Sequence, residues 1–437
     1  MFRKKHSLIK GTLILTSAGL VSRVLGFFFR IFLSHTFGEE QVGLYQLIFP
    51  FYALCLSLST SGLETAISRS VSRFHSLGRT QDGKLIFQTG LILSVLISLI
   101  CTFLVQKNSV FLSNRFLGDP RCATLLYLIV LALPAASVHS CICGYHYGLQ
   151  RTSVPAISQL LEQFVRISSV FVLYFIFIHS GVHPEIPLAV SGIIFGELAA
   201  AGYSLFSLKK KGFDADSPYN LSISKSCSEL LRLSVPLTVN RTAITFLQGI
   251  EAASIPVCLE LASHSASEAL SIYGVLTGMA LPCILFPCAL TNSVSLLLIP
   301  AVAQKQAESS SKETLLLIKK AAGGCFSLGL LCSVFFLLTG SFLGNFLFHS
   351  TLAGNFIVTL AWICPFLYTS SALLSAINGL GITTLTLMIN LFGLSIRIFS
   401  VYFHRIPMGA FHQSISCLPR CISHTFPRNQ KRIFTIC

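Results

Sequence analysis

Charged residues are scarce in this chain: only 11% of its 437 residues are charged, whereas 53% are hydrophobic. An ordinary soluble domain has about 25% charged residues, so the composition excludes a water-soluble globule. The apolar runs at 85–105 and 321–347 are long enough to cross roughly 30 Å of hydrocarbon. They are unbroken and longer than the alternating segments of about ten residues that are typical of a β-barrel. The sequence therefore predicts an all-α polytopic membrane protein.

The motifs of several enzyme classes are also absent. The sequence contains no Walker A loop, no G-x-G-x-x-G, no H-E-x-x-H and no EF-hand loop, so ATP hydrolysis, dinucleotide binding and metalloprotease chemistry have no support. Most of the cysteines lie in or beside apolar runs, where they act as small hydrophobes. Cys141 and Cys143 lack a second ligand pair. We expect a transporter rather than an enzyme, with no catalytic residues, no cofactor and no metal.

Apolar runs separated by charged breaks predict eleven membrane-spanning helices. The N-terminal run continues too far for a cleaved signal peptide, so it is predicted to be the first span. The predicted bounds are 8–35, 42–68, 85–106, 122–145, 155–178, 186–208, 228–256, 268–299, 321–347, 353–378 and 381–403.

Basic residues outnumber acidic ones, with 31 Lys and Arg against 16 Asp and Glu and a formal net charge of +15. Because they gather beside the ends of apolar runs, we attribute them to membrane orientation and expect no nucleic-acid partner. Basic loops follow predicted spans 2, 4, 6 and 8, and the loop after span 3 departs from this alternation. The pattern predicts a multi-pass protein of a bacterial plasma membrane with a cytoplasmic N-terminus.

The sequence contains a weak internal repeat. Gly43-Leu-Tyr, followed by Pro50, resembles Ser271-Ile-Tyr, followed by Pro282. An even number of spans separates the two copies, which predicts two parallel-repeat helical bundles around a central cavity. The predicted domains are an N-terminal six-helix bundle at 1–208, a cytoplasmic linker at 209–226, a C-terminal bundle at 227–403 and a basic polar tail at 404–437.

The composition changes abruptly at the start of the tail, where apolar runs end and basic residues continue. An odd number of spans places this basic tail outside, against the positive-inside pattern. Three explanations stand open: a miscounted helix, a genuine polar and disordered tail, or a reading frame lost near residue 404. The third is our preferred hypothesis, and it implies a second bundle that is incomplete at its C-terminal end.

Arginines inside predicted spans are the first candidates for function, because a charge at the bilayer centre costs several kcal/mol. Arg23 and Arg30 lie seven residues apart, about 10 Å along one face of a helix. Their planar guanidinium groups suit phosphate or carboxylate. Arg241 occupies the corresponding segment of the second repeat, which favours an anion-binding cavity lined by Arg23 and Arg241. The alternative for Arg30 is snorkelling to the interface.

Carboxylates inside spans form a second group. Glu162 and Arg166 are spaced i and i+4, so they can pair on one helix face. Such a pair either neutralises itself within the bundle or takes part in coupling to a cation. Spacing leaves the same two alternatives open for Glu64, Glu197, Glu251 and Arg397.

The stretch Gly19–Arg30, GLVSRVLGFFFR, and the stretch Gly43–Ile48, GLYQLI, resemble the start of the polysaccharide-exporter branch of the multidrug/oligosaccharidyl-lipid/polysaccharide (MOP) superfamily. The likeness continues through Thr65–Arg73 and Leu385–Arg397, so it covers about residues 7–403. Within the superfamily the sequence is most similar to the stage V sporulation protein B group, which is lipid II flippase-like.

This resemblance implies alternating access and translocation of an undecaprenyl-pyrophosphate-linked saccharide for cell-wall, spore-cortex or polysaccharide biosynthesis. The partners would be the lipid-linked oligosaccharide, membrane lipids and a coupling cation or the membrane potential. Arg23 matches a Ser-Arg-Val-Leu-Gly motif, whereas Arg30 is displaced by one residue and an expected arginine at 51–60 has no match. Family members typically have fourteen helices against about eleven here. The alternatives are a multidrug (organic cation) exporter of the same MATE-like fold and an inactive truncated copy.

Overall fold

The structure, a computed structural model, describes residues 2–210, 222–261, 264–308 and 311–404. Within these ranges the chain is helical apart from short turns and contains no β-strand, which confirms the all-α prediction. The predicted polar tail beyond residue 404 and most of the predicted linker at 209–226 lie outside the described residues.

Sixteen α-helices follow one another along the described residues, with three π-helical turns (Ser57–Ser61, Ser113–Leu117, Val275–Ala280) and one 3-10 turn (Val130–Ala132) between some of them. Their bounds are α1 Phe2–Leu56, α2 Gly62–Ser76, α3 Thr80–Lys107, α4 Ser109–Leu112, α5 Cys122–Ile129, α6 Leu133–Gly148, α7 Ser153–His179, α8 Pro187–Lys210, α9 Ile223–Leu261, α10 Ala266–Gly274, α11 Leu281–Leu285, α12 Cys288–Ala307, α13 Ser311–Phe348, α14 Thr351–Ala361, α15 Cys364–Gly379 and α16 Thr383–His404.

The helix α1 contains a sharp break at Gly38, whose φ of 75° and ψ of 176° are not helical. Residues with a side chain rarely adopt such a backbone, and glycine does so at little cost. The break falls in the gap between the predicted spans 8–35 and 42–68. The sequence therefore places this interruption correctly, although the helix assignment runs through it.

A π-helical turn at Ser57–Ser61 joins α1 to α2. Its hydroxyl groups bond back to the preceding turn: the Thr60 hydroxyl donates to the Leu56 carbonyl at 2.7 Å, and the Ser61 hydroxyl donates to the Ser57 carbonyl at 2.8 Å. Such side-chain bonds compete with the regular helical ladder and widen it locally. The chain thus continues from α1 into α2 with one locally wide turn.

Backbone contacts divide the chain into two compact units. The first unit comprises Met1–Phe29 and Leu44–Gly249, and the second comprises Arg30–Gly43 and Ile250–Cys437. The segment Arg30–Gly43, which contains the Gly38 break in α1, thus belongs to the second unit. The predicted division into bundles at 1–208 and 227–403 is based on the sequence repeat and stays a prediction.

The core of the first unit is an apolar cluster of α2, α3, α6 and α9, which includes Ile67, Phe74, Phe87, Ile142 and Leu230. These side chains are almost fully buried. In the second unit, α12, α13 and α15 enclose a smaller cluster. The buried Tyr368 hydroxyl there donates to the Ile284 carbonyl at 2.7 Å.

Nine segments of the described residues are long and apolar enough to cross a membrane, or up to ten if the bent pair α14 and α15, which meet at 59°, forms one span. The segment Ile14–Ser76 counts once although it contains the Gly38 break. The predicted span 268–299 is divided, because α11 ends at Leu285 and Pro287 caps the start of α12. The chain is a multi-pass membrane protein.

Candidate functional site

The three predicted arginines fall in different surroundings. Arg23 on α1 and Arg241 on α9 both belong to the first unit and both have exposed side chains. Arg30 belongs to the second unit and is half-buried, and its guanidinium donates to the Thr277 carbonyl at 3.2 Å. Arg23 and Arg241 are therefore arginines inside membrane segments whose side chains are accessible to a ligand.

Within the first unit, Glu162 and Arg166 on α7 form the ion pair that their spacing predicts. Their side chains are only 18% and 19% exposed, so the pair lies inside the helical packing rather than at a wet surface. The pair alone is electrically neutral. Whether this pair is structural or functional depends on the ionisable groups around it.

A second pair of ionisable groups lies against the first. His139 on α6 directs Nδ1 toward Oε2 of Glu197 on α8 at 3.5 Å, and its Nε2 lies 3.0 Å from the Ser158 hydroxyl. Glu197 is buried, with 8% of its surface exposed. The 3.5 Å separation is an ion-pair distance, and Oε2 of Glu197 has no hydrogen-bond partner.

His139, Glu162 and Glu197 form a single constellation, because one ligand atom from each lies within 4.8 Å of the other two. One imidazole nitrogen and two carboxylate oxygens are donors of a kind that bind protons and small cations. Together with Arg166 these residues are called the buried charge cluster. Three helices, α6, α7 and α8, supply its members.

Tyr52 on α1 completes the surroundings of this cluster. Its ring is buried, its hydroxyl has no hydrogen-bond partner, and it interacts electrostatically with Glu197, Arg166 and Glu162. An unsatisfied buried hydroxyl costs about 1–3 kcal/mol. The Tyr52 hydroxyl beside the cluster and the Glu197 Oε2 atom within it thus remain available to a proton, a water molecule or a small cation.

Two glycines on α8 explain how α7 and α8 come close enough to bring these groups together. A Cβ atom on Gly192 would lie 2.9 Å from the Arg166 carbonyl oxygen, and one on Gly196 would lie 2.8 Å from the Glu162 carbonyl oxygen. Only residues without a side chain permit this approach, a common device in helix packing within membranes. Glu197 follows Gly196 directly, so the contact also fixes the position of its carboxylate.

The remaining predicted residues lie outside the cluster. Glu64 on α2 interacts electrostatically with Arg241 and also with His139 of the cluster, all within the first unit. Arg397 on α16 and Glu251 on α9 form an ion pair at 3.2 Å within the second unit. The structure thus joins Glu162 and Arg166 to Glu197, places Glu64 within electrostatic reach of both Arg241 and the cluster, and puts the Glu251–Arg397 pair in the other unit.

Sequence reasoning missed His139 and Tyr52. Both lie inside predicted spans, 122–145 and 42–68, and the same signal that selected Glu162 applies to them: a titratable or polar group within an apolar run. Histidine and tyrosine are common as packed core residues, so their position in a span alone did not distinguish them. Only the packing of α6 and α1 against α7 shows which polar groups converge.

Nine or ten candidate spans among the described residues, with buried ionisable groups between them, are typical of membrane transport proteins. A family profile described as "Polysaccharide biosynthesis protein" matches residues 8–306. The chain belongs to this family, which confirms the resemblance to polysaccharide exporters stated above.

Two relatives from Bacillus subtilis (strain 168) are similar in sequence to this chain over much of its length. The chain is 29% identical to Stage V sporulation protein B over 397 residues, which cover 90% of this chain and 77% of that protein. It is 25% identical to Lipid II flippase MurJ over 320 residues, which cover 68% of this chain and 58% of that protein. The chain thus spans somewhat more than half the length of this second relative.

Solved structures share the fold. A Lipid II flippase MurJ in an inward closed conformation matches with a TM-score of 0.71 at 15% identity, covering 97% of this chain and 90% of that one. An inward-facing multidrug resistance MATE family transporter matches with a TM-score of 0.63 at 15% identity, covering 91% and 90%. At such low identity these likenesses establish the fold alone.

Proposed function

We propose that this protein moves an undecaprenyl-pyrophosphate-linked saccharide across the plasma membrane by alternating access, for cell-wall, spore-cortex or polysaccharide biosynthesis. Membership of the polysaccharide biosynthesis protein family and the flippase named among its relatives support this proposal. The N-terminus is proposed to be cytoplasmic, as the distribution of basic loops predicts.

The observation that carries the proposal is the pair of exposed arginines, Arg23 and Arg241, inside membrane segments of one unit. A guanidinium that faces hydrocarbon costs roughly 2.5–3.5 kcal/mol by insertion scales, so each is expected to face an aqueous cavity or an anionic group, and for Arg241 the carboxylate of Glu64 lies within electrostatic reach. A pyrophosphate supplies the bidentate acceptors that arginine grips. Arg30 has a smaller part, since its guanidinium already donates to a backbone carbonyl.

The buried charge cluster is proposed to couple this movement to a proton or another small cation. Glu64 lies within electrostatic reach of His139. Within the cluster itself, two carboxylates and one guanidinium leave a single negative charge while His139 is neutral. One bound proton or monovalent cation cancels that charge, which makes two states of different net charge available. Oε2 of Glu197, which has no hydrogen-bond partner although it faces His139 at 3.5 Å, and the Tyr52 hydroxyl support a site for this cation.

A proteoliposome assay of lipid II translocation tests the arginine proposal. Arg23→Ala and Arg241→Ala are each expected to slow translocation at least tenfold, since a charge-assisted hydrogen bond contributes about 1.5–3 kcal/mol. Arg232→Ala is the matched control, because Arg232 is an exposed arginine nearer the N-terminal end of the same helix α9. Equal rates for the Arg23, Arg241 and Arg232 variants would refute the assignment.

Export of organic cations is the second candidate, supported by the likeness to a MATE transporter. An exporter of cations is expected to present acidic groups, whereas the accessible residues in question are arginines. The same proteoliposomes loaded with ethidium separate the two. Ethidium movement without lipid II movement would establish the exporter and reject the flippase.

A further inference from the structure

Two histidines meet in the second unit, and neither belongs to the proposed arginine site or to the buried charge cluster. Nε2 of His35 on α1 lies 3.1 Å from Nδ1 of His349, which follows the end of α13. The ring centroids are 4.2 Å apart and the ring planes cross at 73°. Both side chains are exposed. The two residues are 314 positions apart in the sequence, so only the fold brings them together.

The backbone at His349 is strained. Its φ of 52° lies in the left-handed region, and its amide donates to the Asn345 carbonyl at 3.2 Å, the bond that ends a helix at a left-handed residue. Glycine is the usual residue at this position, because a side chain there costs roughly 1–2 kcal/mol. Strain that glycine would relieve points to a role for the imidazole itself.

Hydrogen bonding determines which of these nitrogens carries a proton. Nε2 of His35 lies 2.7 Å from the Leu347 carbonyl oxygen, and a carbonyl oxygen only accepts, so Nε2 is the donor. The same N–H group faces Nδ1 of His349, which therefore accepts. A proton added to Nδ1 would set two N–H groups against each other. The contact thus uses two neutral imidazoles, the form in which histidine binds metal ions.

The distance between the two nitrogens suits two ligands on one metal ion. Zinc binds imidazole nitrogen at about 2.0–2.1 Å, so two such ligands lie about 3.3 Å apart in a tetrahedral site and about 2.9 Å apart at a right angle. The observed 3.1 Å falls between these values. A zinc ion on Nε2 of His35 replaces the proton there, and the proton moves to Nδ1 of the same ring. The Leu347 carbonyl oxygen then loses its donor and is a nearby oxygen ligand.

The histidine pair lies where an ion in water reaches it. One candidate membrane span ends at Phe348 and α14 begins at Thr351, so His349 lies in the turn between them. The Gly38 break follows His35 by three residues, in the gap between two predicted spans. An ion therefore reaches both exposed imidazoles without crossing hydrocarbon.

We propose that His35 and His349 bind a divalent transition-metal ion such as Zn²⁺, which fastens the segment Arg30–Gly43 to the turn between α13 and α14. Imidazole nitrogen suits zinc, copper and nickel, whereas magnesium and calcium prefer oxygen ligands. The Ser34 hydroxyl donates to the Phe348 carbonyl at 3.4 Å, so the two segments touch before any metal binds. This metal site is independent of the proposed flippase activity.

Calorimetric titration of Zn²⁺ into the full-length protein, purified in detergent and stripped of metal with a chelator, tests this proposal. His35→Gln and His349→Asn are each expected to weaken zinc binding at least tenfold. Glutamine can still donate to the Leu347 carbonyl and asparagine tolerates a left-handed backbone, so both variants are expected to fold. His179→Gln is the matched control, because His179 is an exposed histidine at the end of α7 whose ring lies 3.0 Å from a backbone carbonyl oxygen.

X-ray absorption at the zinc edge separates this site from other groups that could take the ion. The histidine pair supplies two imidazoles and no sulfur, whereas the buried charge cluster supplies one imidazole and cysteines bind through sulfur. The wild-type protein is expected to show zinc with two imidazole ligands. That signal should disappear in His35→Gln and in His349→Asn and persist in His179→Gln.

His349→Gly distinguishes a metal ligand from a residue that only packs. Glycine relieves the left-handed strain, so this variant is expected to melt at a higher temperature than the wild type when zinc is absent. Zinc should raise the melting temperature of the wild type by a few degrees and give His349→Gly a smaller rise or none. Equal zinc affinity in the wild type and the histidine variants would overturn the proposal. A wild-type protein that binds no zinc, or binds it through sulfur or a single imidazole, would do the same.

Discussion

Both units contain buried ions, but the two sets are balanced differently. In the second unit, Glu251 and Arg397 face each other one to one at 3.2 Å. In the first unit, the Glu162–Arg166 pair is accompanied by Glu197 and by His139. In a balanced pair the two opposite charges cancel. An additional carboxylate requires a proton, a cation or water, and this difference distinguishes a structural pair from a candidate coupling site.

The largest effect expected from this comparison concerns stability. Arg166→Ala leaves Glu162 without its ion-pair partner, beside a second buried carboxylate, and is expected to lower the free energy of unfolding by about 3–5 kcal/mol. Arg397→Ala is expected to cost less, about 1–3 kcal/mol, because Arg397 is 29% exposed and faces one carboxylate rather than two. Chemical denaturation of the purified protein in detergent measures both values.

The double variant Glu162→Leu with Arg166→Leu sharpens this test. Replacing both charges by apolar side chains is expected to recover most of the loss, as it commonly does for buried ion pairs. If Arg166→Ala costs no more than Arg397→Ala, the two ion pairs are equivalent and the contrast between the units fails.

The next largest effect concerns transport. Glu197→Gln keeps the shape of the side chain but removes the additional negative charge, so coupling through the cluster is expected to be lost. Translocation driven by a proton or cation gradient should fall at least tenfold and lose its dependence on the gradient. Glu251→Gln, the matched change in the balanced pair, should leave the gradient dependence in place. A gradient response that survives Glu197→Gln would exclude Glu197 from coupling.

The sequence alone predicted much of this architecture, because long apolar runs and basic loops depend on local composition. It also predicted the Glu162–Arg166 pair, since i and i+4 spacing fixes the geometry on one helix. His139, Glu197 and Tyr52 come close to this pair only through packing among α1, α6, α7 and α8, and no local sequence pattern carries that information. The bend between α14 and α15 and the wide turns escaped prediction for the same reason.

A smaller effect tests whether close helix packing maintains the cluster. Gly196→Ala places a methyl group 2.8 Å from the Glu162 carbonyl oxygen and is expected to cost about 1–3 kcal/mol, because α7 and α8 must separate. Gly202→Ala on the same helix meets no atom within 4 Å and should stabilise the helix by up to about 1 kcal/mol. The two variants are compared by denaturation in detergent and by the gradient dependence of transport. Equal stability of both variants would show that α8 tolerates a side chain at this crossing.

The smallest effect is expected for ion pairs that lie at the protein surface. Lys305 on α12 donates to Glu313 at 2.7 Å and to Glu308 at 3.0 Å, and these carboxylates raise the pKa of its ammonium group above the ordinary value. A raised pKa in the folded state means that the interaction stabilises the protein below the ordinary lysine pKa of about 10.4 and is lost as pH rises through the folded value.

Lys305→Met should therefore lower the melting temperature only slightly at pH 7, and the difference from wild type should shrink in high salt and above about pH 10.4. Lys312→Met, which removes a nearby exposed lysine, is the control. A loss as large as that of Arg166→Ala would show that burial does not govern the energy of these ion pairs, and the comparison between the units would lose its physical basis.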